Sequence, residues 1–507
     1  MLDATARVLW ASVRRRMHGG IWLGAAMAAL LTLVGAPATQ AATGHDKIRT
    51  LLPQAIGQWP SYMQNSAHSG YNGAETQITP VTATSLARQW SFATNLPVSA
   101  QPIEANGVVY MGSWDGYERA LTTQGTVVWS TFLGQTSDSI CDPPLAGIVS
   151  TPFVTQATPG NLLSTRSMLY VGGGDGQVYA LDALTGAIKW STRLGPSPST
   201  FMWSSPLVYA GSVYIGVSSF GDCPLVQGQM VKLNATTGAI QQIFNVVPNG
   251  CTGGGVWGSP TLDVSTGIIY FATGNAGGCS TNESYAVSLI AVHASDLSFI
   301  SFWQIPPSQQ IVDGDFGSSS TLFTATINGV AQPLLGIVDK NGVYYAFKRT
   351  NIGAGPIWSR RLDPGSECPQ CGTSAIAPAA WDGQTLFVAG GITTINNKSC
   401  QGSVQALDPA TGAPRWQACL AGAILGAVSA VPGVVFVGAG TAFYALAASS
   451  GATLFTFTDP AGQPFFGPAS IASGSVYIGN MDGALYCFRT GTARLPPVRA
   501  GATPVSP

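Results

Sequence analysis

The chain has 507 residues, 46% of them apolar and only 9% charged, with 22 Lys and Arg against 23 Asp and Glu. That balance leaves no basic stripe to neutralise phosphates, which excludes a nucleic-acid partner, and the apolar content excludes a disordered chain. The 62 glycines are spread along the whole length, so they read as many turns and not as one linker.

In chain order, residues 1–41 read as an export signal peptide. Arg14, Arg15 and Arg16 precede an apolar stretch from Ile21 to Val34, and small residues follow as far as Ala41. That stretch is shorter than the ~20 residues of a membrane span. No later segment stays apolar long enough, so no span is expected in the mature chain, which is assigned to the periplasm or the exterior. Residues 42–80 form an N-terminal arm, 81–490 a repeat domain, and 491–507 a disordered C-terminal tail. Nine cysteines suit an oxidising compartment, and their odd number leaves at least one unpaired. One set of pairs, among several open, joins Cys141 to Cys223, Cys251 to Cys279 and Cys400 to Cys419, leaving Cys487 alone. Cys368 and Cys371 have the spacing of a redox or haem motif. Covalent haem needs a His after the second Cys, and Gly372 stands there, so a local disulfide is the plainer expectation and covalent haem is not expected.

From residue 108 onward one pattern recurs. The stretch LYVGGGDGQVYALDALTGAIKW (169–190) is an apolar run, an Asp-Gly turn, a second apolar run, a Thr-Gly turn and a Trp. Related versions begin near Val108, Ser212, Ile268, Leu334, Thr385, Val434 and Ser475. The runs are four to six residues long, rich in Val, Tyr and Ile, and bounded by Gly, which makes them strands. Asp-Gly and Asn-Gly between such runs are tight hairpin signals. A further strand leads into each unit. Four-stranded antiparallel units at this period predict an all-β propeller.

Eight hairpins accompany eight strand-end aromatics: Trp90, Trp129, Trp190, Phe244, Trp303, Trp358, Trp416 and Phe455. The last hairpin, 475–488, has no aromatic strand after it, and Trp90 has no hairpin before it. The reading that reconciles them is an eight-bladed β-propeller whose ring is closed by the N-terminal strand around Trp90 joining the last blade. Closure of that kind removes an exposed sheet edge.

The wording of the blade resembles the repeat of quinoprotein alcohol dehydrogenases, which use pyrroloquinoline quinone (PQQ), over roughly residues 60–490. Three stretches carry the resemblance further, toward the polyvinyl-alcohol-dehydrogenase-like branch. In GGGVWGSPTLDVSTGIIYFATGNA (253–276), Trp257 takes the place of the quinone's flat floor and Asn275 that of a calcium ligand. In DGDFGSSSTLF (313–323), Asp315 matches the general base and a further calcium ligand, while Asp313 reads as an exposed turn residue. In GIVDKNGVYYAFKR (336–349), Lys340 matches the cation at the quinone oxygens. Each residue type has chemistry that fits its place, with an aromatic face for a planar ring, oxygens for calcium, a fixed carboxylate for a hydroxyl proton and a cation for developing negative charge.

The chain also departs from the family. Where relatives carry a calcium-binding Glu, GVSSFGDC has Gly221, with Asp222 beside it as the substitute ligand. An Arg that contacts the quinone carboxylates in relatives falls near Ala146. Gly317 stands where lanthanide enzymes add an Asp, so calcium, weakly held, is expected over a lanthanide. The resemblance implies an exported PQQ-dependent alcohol dehydrogenase, an oxidoreductase acting on a small-molecule or polymer alcohol. With no cytochrome domain of its own expected, it would pass electrons to a separate acceptor such as cytochrome c. The alternative is a non-enzymatic propeller of the same repeat, acting as a binding or assembly scaffold. No Ser/His/Asp nucleophile pattern is evident, and four His residues leave little room for a zinc site.

Overall fold

The computed structural model describes residues 57–155, 167–277 and 285–491. The expected signal peptide, the start of the arm and the tail lie outside the described residues. Eight antiparallel sheets of four strands follow one another along the chain. Their strands run within 103–132, 153–193, 207–245, 261–304, 321–361, 380–420 and 429–458 for blades 1 to 7. Blade 3 carries one short extra strand, Thr200–Phe201. Blade 8 is built from Ser470–Ala472, Ser475–Gly479 and Ala484–Thr490, and its outer strand is Leu86–Ala93 from the other end of the chain. Trp90 sits opposite Cys487 in that pairing. The expected closure is therefore present.

The recurrent pattern has a physical reason at the seams between blades. The Trp of an outer strand donates its indole N–H to a carbonyl in the turn of the next blade. Trp129 reaches Ala183 at 3.0 Å, Trp190 reaches Ala235 at 3.0 Å, Trp358 reaches Pro409 at 3.1 Å and Trp416 reaches Ala448 at 2.8 Å. Beneath each indole lies the Gly of that next turn. A Cβ on Gly186 would come within 2.6 Å of the Trp129 ring, and one on Gly451 within 2.5 Å of Trp416. Gly186 also has φ +69°, a conformation that side chains disfavour. The Trp of one blade and the Thr-Gly of the next are thus one contact, written in two repeats. A register shift just before the turn recurs in six blades, as between Ala120 and Leu121 and between Ala180 and Leu181. Such bulges increase local twist and turn the outer strand toward its neighbour.

Around the axis the blades are tied by hydroxyls. Gln101 N–H donates to Thr151 Oγ1, Thr151 to Ser205 Oγ, Ser205 to Ser259 Oγ and Ser259 to Ser319 Oγ, at 2.8–3.0 Å. This belt crosses from blade 1 to blade 5. Residues 59–72 run across the same inner strands. Backbone bonds join Trp59 to Glu104, Pro60 to Val154, Ser66 to Leu262, Ala67 to Leu322, Ser69 to Trp381 and Gly70 to Ala430. The Asn72 amide reaches the Ile471 carbonyl at 2.9 Å. One short segment so bonds to seven blades. Its His68 is fully enclosed against Thr261, and burial pushes the imidazole down to about 3.

Disulfides join Cys141 to Cys223, Cys368 to Cys371 and Cys400 to Cys419, and Cys487 is a buried free thiol. Cys251 is also disulfide-bonded; its expected partner, Cys279, lies outside the described residues. No helix among the described residues is long and apolar enough to cross a membrane.

Candidate active site

The connections that lead into blades 2 to 5 and the hairpin loops within blades 3 to 5 line a cavity of about 310 Å³. That is the lower end of the range for ligand pockets. All five residues singled out in the sequence line it: Asp222, Trp257, Asn275, Asp315 and Lys340. Trp203 and Trp257 also line a second cavity, on the axis beside the hydroxyl belt. The two cavities therefore meet back to back at these indoles.

Asp315 is the most constrained group. It is 4% exposed. Lys340 Nζ lies 2.7 Å from its Oδ1, and Trp257 Nε1 donates to its Oδ2 at 3.1 Å. The backbone ties the two loops together as well, with Lys340 N–H bonded to Asp315 O. Burial raises the Asp315 carboxyl above its ordinary range, while Lys340 and Trp257 pull the other way. For Lys340 burial alone would lower the ammonium, but Asp315 and Asp313 outweigh it and hold it above its usual value. Lys340 also lies over the Trp257 ring, 5.3 Å from its centre, where the ring's negative face favours a cation.

Two glycines make room for this arrangement. A Cβ at Gly317 would meet the Trp257 ring at 2.5 Å, and one at Gly274 would lie 3.0 Å from Asp315 Oδ2. An Asp at 317, the extra ligand of lanthanide enzymes, has no space while Trp257 keeps its place.

Asp222 enters from a loop fixed by the Cys141–Cys223 disulfide, and both it and Gly221 have left-handed backbone (φ +59° and +65°). The residue keeps an exposed surface within a concave wall. Its carboxyl is raised above the usual range, first by desolvation and then by the charges of Asp315 and Asp313. Beside it, Ser218 Oγ is buried without a hydrogen-bond partner among the described residues.

Asp313 is not the plain exposed turn residue that its local sequence suggests. Its side chain is 41% exposed, yet Oδ2 lies 3.2 Å from Lys340 Nζ and Oδ1 accepts from the Asn275 amide. The signal available was its spacing of two from Asp315. Trp203 also escapes the sequence reading, although FMWSSP repeats the form of GVWGSP one blade earlier.

The oxygens of Asp222, Asn275, Asp315 and Ser218 on one wall are of the type that hard divalent cations take. They are not gathered into a finished site: among the described residues no three His, Cys, Asp or Glu side chains are close enough to hold a metal ion. The indole face of Trp257 with Lys340 beside it, and the bare backbone at Gly255 and Gly274, suit a flat, anionic ring.

The eight-bladed ring of four-stranded antiparallel sheets places the chain in the class of quinoprotein-like propellers. A family model described as outer membrane protein assembly factor BamB matches residues 155–280 and 351–495, more than half of the chain. The chain belongs to this repeat family, the quinoprotein alcohol dehydrogenase-like eight-bladed propellers. It is 28% identical over 357 residues to a polyvinylalcohol dehydrogenase of a Pseudomonas species, covering 60% of this chain and 54% of that protein. The chain spans about half the length of the curated relatives it matches. Among solved structures, a quinohemoprotein alcohol dehydrogenase from Comamonas testosteroni superposes with a TM-score of 0.68 at 20% identity, over 90% of this chain and 84% of that one. A europium-containing methanol dehydrogenase gives 0.67 at 16% identity, over 88% and 100%.

Proposed function

We propose that this chain is a PQQ-dependent alcohol dehydrogenase that oxidises an alcohol to an aldehyde or ketone and hands the electrons to a separate acceptor, such as cytochrome c. The observation that carries the reading is the Lys340–Asp315–Trp257 constellation: one buried carboxylate held by a cation and an indole on the wall of a ligand-sized cavity. The quinone, when bound, would supply the acceptor for the hydride, and with it the two electrons, that the alcohol carbon gives up. The chain supplies the rest. Asp315 takes the hydroxyl proton, and its raised affinity for a proton brings it closer to working pH than an ordinary carboxyl. Trp257 fixes which oxygen of Asp315 faces the cavity, and its ring is the floor for a planar ligand. Lys340 keeps Asp315 ionised between turnovers and offers a positive charge to the ligand's oxygens. Asn275, Asp222 and Asp315 would hold calcium, weakly, since they must first be drawn together. Disulfides in the fold fit the export read from residues 1–41 and a periplasmic or secreted site of action.

The match to the assembly-factor model favours a second reading, a propeller that binds partners and performs no chemistry. One experiment separates them. Protein loaded with PQQ and Ca²⁺ should reduce an artificial dye when given alcohols, and Asp315→Asn should lower turnover about 10²–10⁴-fold while keeping most PQQ affinity. Lys340→Ala should weaken both. No dye reduction with any alcohol rejects the enzymatic reading, and an Asn variant at the native rate removes Asp315 as the base.

A further inference from the structure

The cavity wall carries four carboxylates, from Asp142, Asp222, Asp313 and Asp315, and Lys340 as its one cationic side chain among the described residues. An anionic ligand therefore has a single strongly attractive group to reach. That group is already taken twice, by Asp315 at 2.7 Å and by Asp313 at 3.2 Å. The two carboxylates differ in freedom. The Asp315 side chain is 6% exposed and is pinned by the Trp257 indole, whereas that of Asp313 is 41% exposed. Asp313 sits at φ +49° just before Gly314, in the connection that follows the short turn Pro307–Gln309. Its neighbours Ile311 and Val312 are exposed as well. Its other oxygen accepts from Asn275, so one side chain occupies both Lys340 and Asn275.

We infer that Asp313 is a built-in competitor: its carboxylate holds the place of an anionic ligand's carboxylate, and the ligand gains Lys340 and frees Asn275 by displacing it. The exchange replaces one carboxylate by another on the same ammonium. The charge around Lys340 is conserved, and the exposed side chain is the one that leaves. Asp313 is a positioning residue and not a catalytic one. The identity of the ligand as the quinone rests on the reading above; the competition itself does not.

The test is a titration of cation-free protein, followed by tryptophan emission, with two anions: PQQ, and phthalate as a plain dicarboxylate. Asp313→Asn keeps the shape and tolerates left-handed backbone; Asp313→Gly, suited to that φ, is the second variant. Asp222→Asn is the control, since it removes a negative charge from the same wall without touching Lys340. Both Asp313 variants should bind phthalate about tenfold more tightly than the native protein, the scale of one charge-assisted hydrogen bond, and more tightly than Asp222→Asn. No gain, or the same gain in Asp222→Asn, overturns the inference, the latter because a general field would then account for it. A phthalate gain with no PQQ binding in any variant upholds the competition and removes the quinone reading instead.

Discussion

Seams that obey the repeat and seams that break it lie in different parts of the ring. Between blades 1 and 2, 2 and 3, 5 and 6, and 6 and 7, a Trp rests on the Gly of the next turn and bonds to a carbonyl there. Between blades 3 and 4 both halves of the contact change together. The turn of blade 4 has Leu297 at φ +57°, with its side chain buried, and the outer strand of blade 3 ends in Phe244 and not Trp. Most of the residues that line the acidic cavity, among them Asp222, Trp257, Asn275, Asp313, Asp315 and Lys340, come from the loops of blades 3 to 5, around this irregular seam, with Asp142 and Trp203 joining them from the connections into blades 2 and 3. The lesson is local: four regular seams hold the ring by one repeated contact, and the irregular seam between blades 3 and 4 is the one that flanks the polar cavity.

The largest effect expected is from the segment that crosses both sectors. Deleting residues 57–92 removes the outer strand of blade 8, the backbone bonds to six blades and the Asn72 bond to the inner strand of blade 8. The truncated chain should fail to fold, aggregating or showing no cooperative melt. A soluble truncation with a sharp melt would mean that the regular seams close the ring by themselves.

Next comes a direct contrast of seams. Trp129→Ala should cost about 3–5 kcal/mol, as large aromatic truncations do, because it removes both a buried indole and its hydrogen bond to the Ala183 carbonyl, which keeps only the Tyr110 hydroxyl. Phe244→Ala, which loses no hydrogen bond, should cost about 1 kcal/mol less. Denaturant unfolding of the two variants measures the difference, and equal costs would dissolve the distinction between the seams.

The smallest effect sharpens the account of a regular seam with one flaw. Glu118 is fully buried between Gly112 and Ile148, and neither carboxylate oxygen has a hydrogen-bond partner among the described residues. The matching strand position is Val178 in blade 2 and Met230 in blade 3. Desolvation raises the Glu118 carboxyl well above its ordinary range, with Arg119 opposing. A folded-state value above the unfolded one means that the neutral acid is tolerated at low pH and that stability is lost as pH rises from about 4.3 toward the raised value. Glu118→Met should therefore be more stable by about 1–3 kcal/mol at neutral pH, with a gain that shrinks toward pH 4. Thermal melts across pH read this; a variant no more stable than the native chain at pH 7 would show that Glu118 has a partner in solution.

The architecture was legible because each blade is local. Hairpins such as Asp175-Gly176 and turns such as Thr185-Gly186 need only neighbours in sequence, and counting Trp90 against the hairpin at 475–488 was enough to place the closing strand. Trp257, Asn275, Asp315, Lys340 and Asp222 stand out from motif wording, and the structure brings all five to one cavity. Their roles remain those proposed above. What no local pattern carried was who pairs with whom. Asp313 reads as a turn residue because its own neighbours make a turn; its bonds to Lys340 and Asn275 bridge 27 and 38 residues. The arm's contacts with seven blades are likewise invisible, since a strand of backbone bonds has no side-chain code. The sequence by itself determined the blades, their number and the way the ring closes, since these follow from short-range turn and strand chemistry. Only the tertiary structure decided the charge pattern of the cavity, the burial of Glu118 and the partners of His68 and Asp313, because burial and electrostatics depend on groups that meet only when the ring is closed.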